Sequence, residues 1–217
     1  MPWPVTHVLI AELYYEPYFS HLNHNEFIIG TCFADIRYPA KLPRKSTHTK
    51  GVSLSEIQSQ SAFYAGLTFH STVDDMWNSF VLHQNNHIFQ EVPHDKPMIH
   101  AMKVLQDKFL YNKLADWERI AGYFEDVLPE ESNFNIPGSM LQRWHRILAH
   151  YFSKPTNIND LDMLSISLPL DLVAKIGEYY LAYQNNPTLT AVLDDFYAHA
   201  KQLCQESRGS IETIKEG

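Results

Sequence analysis

The chain has 217 residues, enough for one well-buried domain without requiring a second. Hydrophobic residues make up 45% and charged ones 19%, which excludes a disordered tail. The formal net charge of −8 argues against stable binding to nucleic acid, where Lys and Arg must neutralise phosphates. No Walker or dinucleotide fingerprint is present, and two distant cysteines, Cys32 and Cys204, read as buried thiols rather than a disulfide framework. No stretch approaches the roughly 20 apolar residues needed to span a bilayer. The start, MPWPVTH, lacks the basic segment and long apolar core of a secretory signal, so a cytoplasmic location is expected.

In chain order, THVLIAELYY and FIIGTCFADI come first. They are rich in β-branched and aromatic residues, yet neither alternates cleanly, and both are predicted to be buried helices. Residues 37–51 form a loop broken by Pro39 and Pro43. Ser53 and Glu56 then make a capping box at the head of a helix predicted to run to about residue 82. Along it Ile57, Phe63, Tyr64, Leu67, Val73, Trp77, Phe80 and Val81 recur at helical spacing. Asp95 and Pro97 open a helix through about Tyr111, and helical pattern continues over 113–127. A loop over 128–138 is followed by helices at roughly 139–153, 169–184 and 188–206. The expected architecture is an all-α, single-domain multi-helix bundle over 1–206 with a frayed polar tail over 207–217.

The chemistry lies in the first third. His7, Asp35, His48, His70 and Asp74 are side chains of the kind that bind Zn²⁺ and similar divalent ions, and each occupies a segment of its own character. His70 and Asp74 stand four apart, so on a helix they share one face, and Asp74 could bridge two ions. Gly66, one turn earlier, permits close approach of another helix or loop. A bound divalent ion lowers the pKa of its water to around 7, so metal-bound hydroxide could attack a phosphoester at neutral pH.

The order His…Asp…His…H-x-x-x-D, with G-x-x-x-x-D at Gly30–Asp35, Thr47-His48 and G-L-x-x-H at Gly66–His70, resembles the zinc-dependent phospholipase C and single-strand nuclease superfamily over about residues 5–80. The resemblance implies an all-helical phosphodiesterase of the phospholipase C type acting on a phospholipid or small phosphoester. It places Asp35, His48, His70 and Asp74 around one zinc ion and His7 with Asp74 on a second, with Asp35 assisting the attacking water. Asp35 and Asp74 are thus the expected catalytic carboxylates. In secreted members the amino group of a mature N-terminal Trp is a ligand, whereas here Trp3 follows Met1 and Pro2. The family's third ion needs a His and an H-x-x-x-E pair; His87 and Glu91 with His83 could supply them, or that segment is a polar loop. HVLIAEL, GTCFAD and GLTFHSTVDD are also similar to acyl-carrier-protein phosphodiesterases, relatives of HD-type phosphohydrolases, although the basic residue and second Thr-Asp of their H-R-x-I-D-x-x-T-D element are missing.

Each residue taken alone has a structural reading. His7 could be a hydrogen-bonded core residue, His48 a solvated loop side chain, His70–Asp74 a helical ion pair, and Asp35–Arg37 a surface pair. A non-catalytic helical protein that binds a partner or lipid while keeping the fold is the rival function. His145 and His150, with Arg143 and Arg146, read as a solvated basic face, and His94-Asp95 as a helix N-cap. The aromatic set Tyr14, Tyr15, Tyr18 and Phe19 reads as core or helix-packing surface, with a lipid or acyl groove as the alternative, and Tyr179, Tyr180, Tyr183, Phe196 and Tyr197 read as packing between the last two helices.

Overall fold

The computed structural model describes residues 4–114, 116–154 and 168–215, and among them there are helices and turns but no strand. The first apolar run is helix α1 (Pro4–Tyr14), buried along nearly its whole length. It widens into a π turn at Tyr15–Phe19, where Pro17 has no amide hydrogen to continue the regular ladder. The second run is α2 (His24–Phe33), capped by the Asn23 side chain, which accepts from the Glu26 amide. A tighter 3₁₀ turn, Ala34–Arg37, follows directly.

The capping box at Ser53 and Glu56 is present, but it heads only the short α3 (Leu54–Gln58). The single helix expected from 53 to 82 is broken at Ser59–Ser61, where the Ser59 hydroxyl bonds back to the Glu56 carbonyl and Ser61 takes extended backbone angles. Serine side chains of this kind compete with the helical ladder. α4 (Ala62–Trp77) then carries the His70–Asp74 pair and runs on as a π turn, Asn78–Gln84. α5 (Lys96–Leu110) begins at Asp95, whose carboxylate caps the Met98 amide as expected.

The helical pattern expected over 113–127 shrinks to α6 (Trp117–Gly122), started by Asp116. The 128–138 loop contains a 3₁₀ turn at Pro129–Phe134. α7 (Gly138–Phe152) and α8 (Leu170–Tyr183) match their expected spans, and α9 (Pro187–Lys215) continues as helix beyond residue 206.

α1 is the hub, lying against α2, α4, α5 and α9. Tyr14, Tyr18 and Phe19 are core residues; Tyr14 and Phe19 pack on Phe69, and the Tyr18 hydroxyl donates to the Cys204 carbonyl at 2.7 Å. The most extensive contact is between α2 and α4, and glycine makes it possible. A β-carbon on Gly66 would fall on the Phe27 carbonyl oxygen, and one on Gly30 on the Phe63 carbonyl oxygen. The two backbones therefore touch. Aromatics of α8 and α9 also meet other elements: Tyr180 lies under Lys108 of α5, the Tyr179 hydroxyl reaches Asp95, and Phe196 meets Phe80. No described helix is long and apolar enough to cross a membrane.

His145 corrects the solvated-face reading of the basic patch. It is buried, and its Nε2 lies 2.9 Å from each oxygen of the fully buried Glu131 carboxylate. His150, Arg143 and Arg146 remain on the exposed side of α7.

Candidate metal centre

Four segments converge on one point between α1, α2, α4 and the 37–51 loop. His7 comes from the first turns of α1, Asp35 from the 3₁₀ turn after α2, His48 from the loop, and His70 and Asp74 from α4. Local sequence explains each placement. The 3₁₀ turn tightens the chain after Phe33 and swings Asp35 toward α4. Pro43 starts another 3₁₀ turn, Arg44–Ser46, and the His48 amide closes on the Arg44 carbonyl at 3.0 Å, turning the imidazole inward. His7, His48, His70 and Asp74 are buried, and the Asp35 side chain is 24% exposed.

Separations within the cluster run from 3.6 to 3.9 Å. His7 Nε2 lies 3.6 Å from Asp74 Oδ1, His48 Nε2 3.6 Å from Asp74 Oδ2, and His70 Nε2 3.9 Å from both Asp74 Oδ2 and Asp35 Oδ1. These are too long for hydrogen bonds. They are close to the spacing of two atoms sharing one tetrahedral ion, about 3.4 Å for bonds of about 2.0–2.1 Å. The rings of His7 and His70 stack in parallel 3.8 Å apart, and His48 meets His70 edge-on at 4.9 Å. Two groups offer three donor atoms within 4.8 Å of one another: His7, His70 and Asp74, and Asp35, His48 and His70.

Three acceptors in the second group decide whether a cation fits. Asp35 Oδ1, His48 Nε2 and His70 Nε2 are buried and have no hydrogen-bond partner among the described residues. For His70 the tautomer follows from its other nitrogen. Nδ1 lies 2.9 Å from the Thr31 carbonyl, which can only accept, so Nδ1 carries the hydrogen and Nε2 a lone pair. That carbonyl is one of those left open at the end of α2. His48 Nδ1 contacts the Thr47 hydroxyl at 2.9 Å, and when it donates there, its Nε2 is likewise a lone pair. Buried lone pairs aimed at one another repel unless a cation lies among them. The donor set fits a divalent ion bound by nitrogen and oxygen.

Burial keeps both imidazoles neutral. His48 is pulled down to about 3 by desolvation and then by the Arg44 charge, and His70 well below its ordinary value by desolvation and His7. Asp35 is pushed up to about 6 by desolvation and the nearby Asp74 anion. Burial acts in the same upward direction on Asp74, yet its carboxyl is held far below the usual range, first by the adjacent His7 imidazole.

Two cations were not anticipated. Arg44 Nη2 lies 3.2 Å from Asp74 Oδ2 while its side chain is 42% exposed, so the guanidinium links the buried carboxylate to the protein surface. The Lys103 ammonium is buried near Asp74 and Asp35 and lies 5.4 Å from the Trp77 ring centre. Arg and Lys are common on any surface, and nothing in their spacing singles out these two. The downstream trio does not assemble: His83 and His87 are exposed, and the Glu91 carboxylate accepts from Asn186 and Thr188 at the head of α9. Trp3 lies outside the described residues. Comparison with protein-family models, curated proteins and solved structures finds no match to the chain.

Proposed function

We propose that the chain is a metal-dependent phosphoester hydrolase, phospholipase C-like in its ligand order. It binds one or two divalent ions, zinc foremost, through His7, Asp35, His48, His70 and Asp74. The observation that carries this reading is the meeting of Asp35 Oδ1, His48 Nε2 and His70 Nε2, three buried atoms with no other described partner. An ion held there supplies a lowered water pKa and polarisation of a phosphoryl oxygen.

The chain's own groups take the remaining roles. His7, His48 and His70 would hold an ion through Nε2, with Asp74 as an anionic ligand. Asp35, partly open to solvent and raised to about 6, accepts the proton of the attacking water. Partly exposed Arg44 and buried Lys103 favour an anionic substrate, a phospholipid or a small phosphoester. The weaker likeness to HD-type and acyl-carrier-protein phosphodiesterases leads to a metal at the same His70 and Asp74 pair and to the same reaction class. A second reading, a non-catalytic helical binding protein, draws on the Arg44–Asp74 contact, which neutralises the carboxylate without any ion.

Elemental analysis of protein purified without added metal separates the two. One or two equivalents of a divalent ion are expected. His70→Ala should lose both the metal and any hydrolysis of bis(4-nitrophenyl) phosphate. Zero stoichiometry with full folding in chelator supports the binding protein, and unchanged metal in the His70 variant refutes the ligand assignment.

A further inference from the structure

We infer that Asp107, on α5, is a positioning residue for the metal centre: it fixes the first turn of α1 and through it the His7 imidazole. This rests on the metal-binding reading above. α1 has no acidic residue in its first turn, and Pro4 has no amide hydrogen. The first free amides are those of Val5 and Thr6, and both end on Asp107, at 3.1 Å on Oδ2 and 2.8 Å on Oδ1. The Thr6 hydroxyl donates to Oδ1 at 2.5 Å, and the Tyr151 hydroxyl of α7 donates to Oδ2 at 3.0 Å. Four donors from two helices thus meet one fully buried carboxylate.

A local Ser or Asp before the helix would cap the same amides without burying a charge. Placing a carboxylate in the core is costly, and here desolvation pushes Asp107 up to about 7 against the pull of its donors. What it provides beyond a local cap is registration. α1 cannot slide or rotate against α5 and α7 without breaking these bonds. His7 directly follows Thr6, stacks on His70 at 3.8 Å and lies 3.6 Å from Asp74. Metal–ligand bonds tolerate only about 0.2 Å of misplacement, a small fraction of the rise of about 1.5 Å per helical residue. A slip of α1 by much less than one residue removes His7 from the ligand set.

The test uses the full chain, stripped by chelator and titrated with Co²⁺, whose visible absorption reports ligand number and geometry. Asp107→Asn keeps the shape but turns an amide NH₂ toward an N–H or O–H donor. It should weaken Co²⁺ and Zn²⁺ binding by about 10–100-fold, as loss of an outer partner does, and alter the visible bands. Thr6→Val and Tyr151→Phe, each removing one donor, should shift affinity in the same direction by less, and they serve if the Asn variant fails to fold. Phe196→Leu, a core change on α9, should lower stability and leave the spectrum as it is. Wild-type affinity and spectrum in folded Asp107→Asn, or in both single-donor variants, overturn the positioning role alone. Absence of Co²⁺ uptake by the wild-type chain overturns the metal reading and this inference with it.

Discussion

His70 offers one lone pair, and both candidate groups need it. Its Nδ1 is committed to the Thr31 carbonyl, so only Nε2 faces the site. If two ions bind, one holds His70 and the other relies on Asp74 and His7, so the two should differ in affinity. His100 gives a separate prediction at this scale. Burial, then the Lys103 charge, draws its pKa down to about 3. The unfolded chain takes up a proton near pH 6.5, while the folded chain resists until about pH 3. Its contribution is therefore intact above pH 6.5 and lost as the pH falls through that window. His100→Gln should gain melting temperature relative to wild type as the pH drops from 7 to 4, and a gap independent of pH would contradict this. The histidines and carboxylates of the site were legible as types in sequence order. Asp107 was not, because its partners lie 101 and 102 residues away and it sits in an ordinary amphipathic pattern.

At the scale of elements, the α2–α4 contact controls the site, since one helix leads to Asp35 and supplies the Thr31 carbonyl while the other carries His70 and Asp74. Gly→Ala inside a helix ordinarily stabilises by about 0.5–1 kcal/mol. At Gly66 the added methyl meets the Phe27 carbonyl, so Gly66→Ala should instead destabilise by about 1–3 kcal/mol, the usual penalty of overpacking. It should weaken metal binding as well. Gly122→Ala, with nothing within 4 Å of its added methyl, should be neutral or stabilising. Denaturant midpoints for the pair decide the matter, and equal effects would refute the steric account. The apolar runs of α1 and α2, whose β-branched and aromatic content also suits strands, read as helices only because they do not alternate. The break at Ser59–Ser61 did not, for it contains neither Pro nor Gly. The Glu131–His145 pair was hidden too, because its carboxylate comes from the 128–138 loop, 14 residues before the histidine and outside the periodic pattern of α7.

Across the whole molecule, the first third carries the proposed ligands and the remainder holds them in place. α1 rests on α5 and α9, and the Trp77 indole donates to Gln106, which in turn donates to the Leu193 carbonyl at 2.6 Å. An ion bound only by the folded chain stabilises it by mass action, roughly 2.7 kcal/mol at 100 times the dissociation constant. Chelation should therefore lower the melting temperature of wild type and leave His70→Ala where it is; no shift in wild type would count against a bound ion. The all-helical bundle was legible because apolar residues recur at helical spacing throughout. The expectation of phosphoester chemistry came from ligand order and resemblance, and the convergence of the ligands needed coordinates.

The paired glycines have one more consequence. Because Gly30 and Gly66 bring main chain against main chain, the span between Asp35 and His70 is set by peptide geometry, which mutation of neighbouring side chains barely alters. Changes in core volume around Phe63 or Phe69 can drain stability while these two side chains keep their spacing. The geometry of the candidate centre is in this way insulated from drift in the hydrophobic interior that surrounds it.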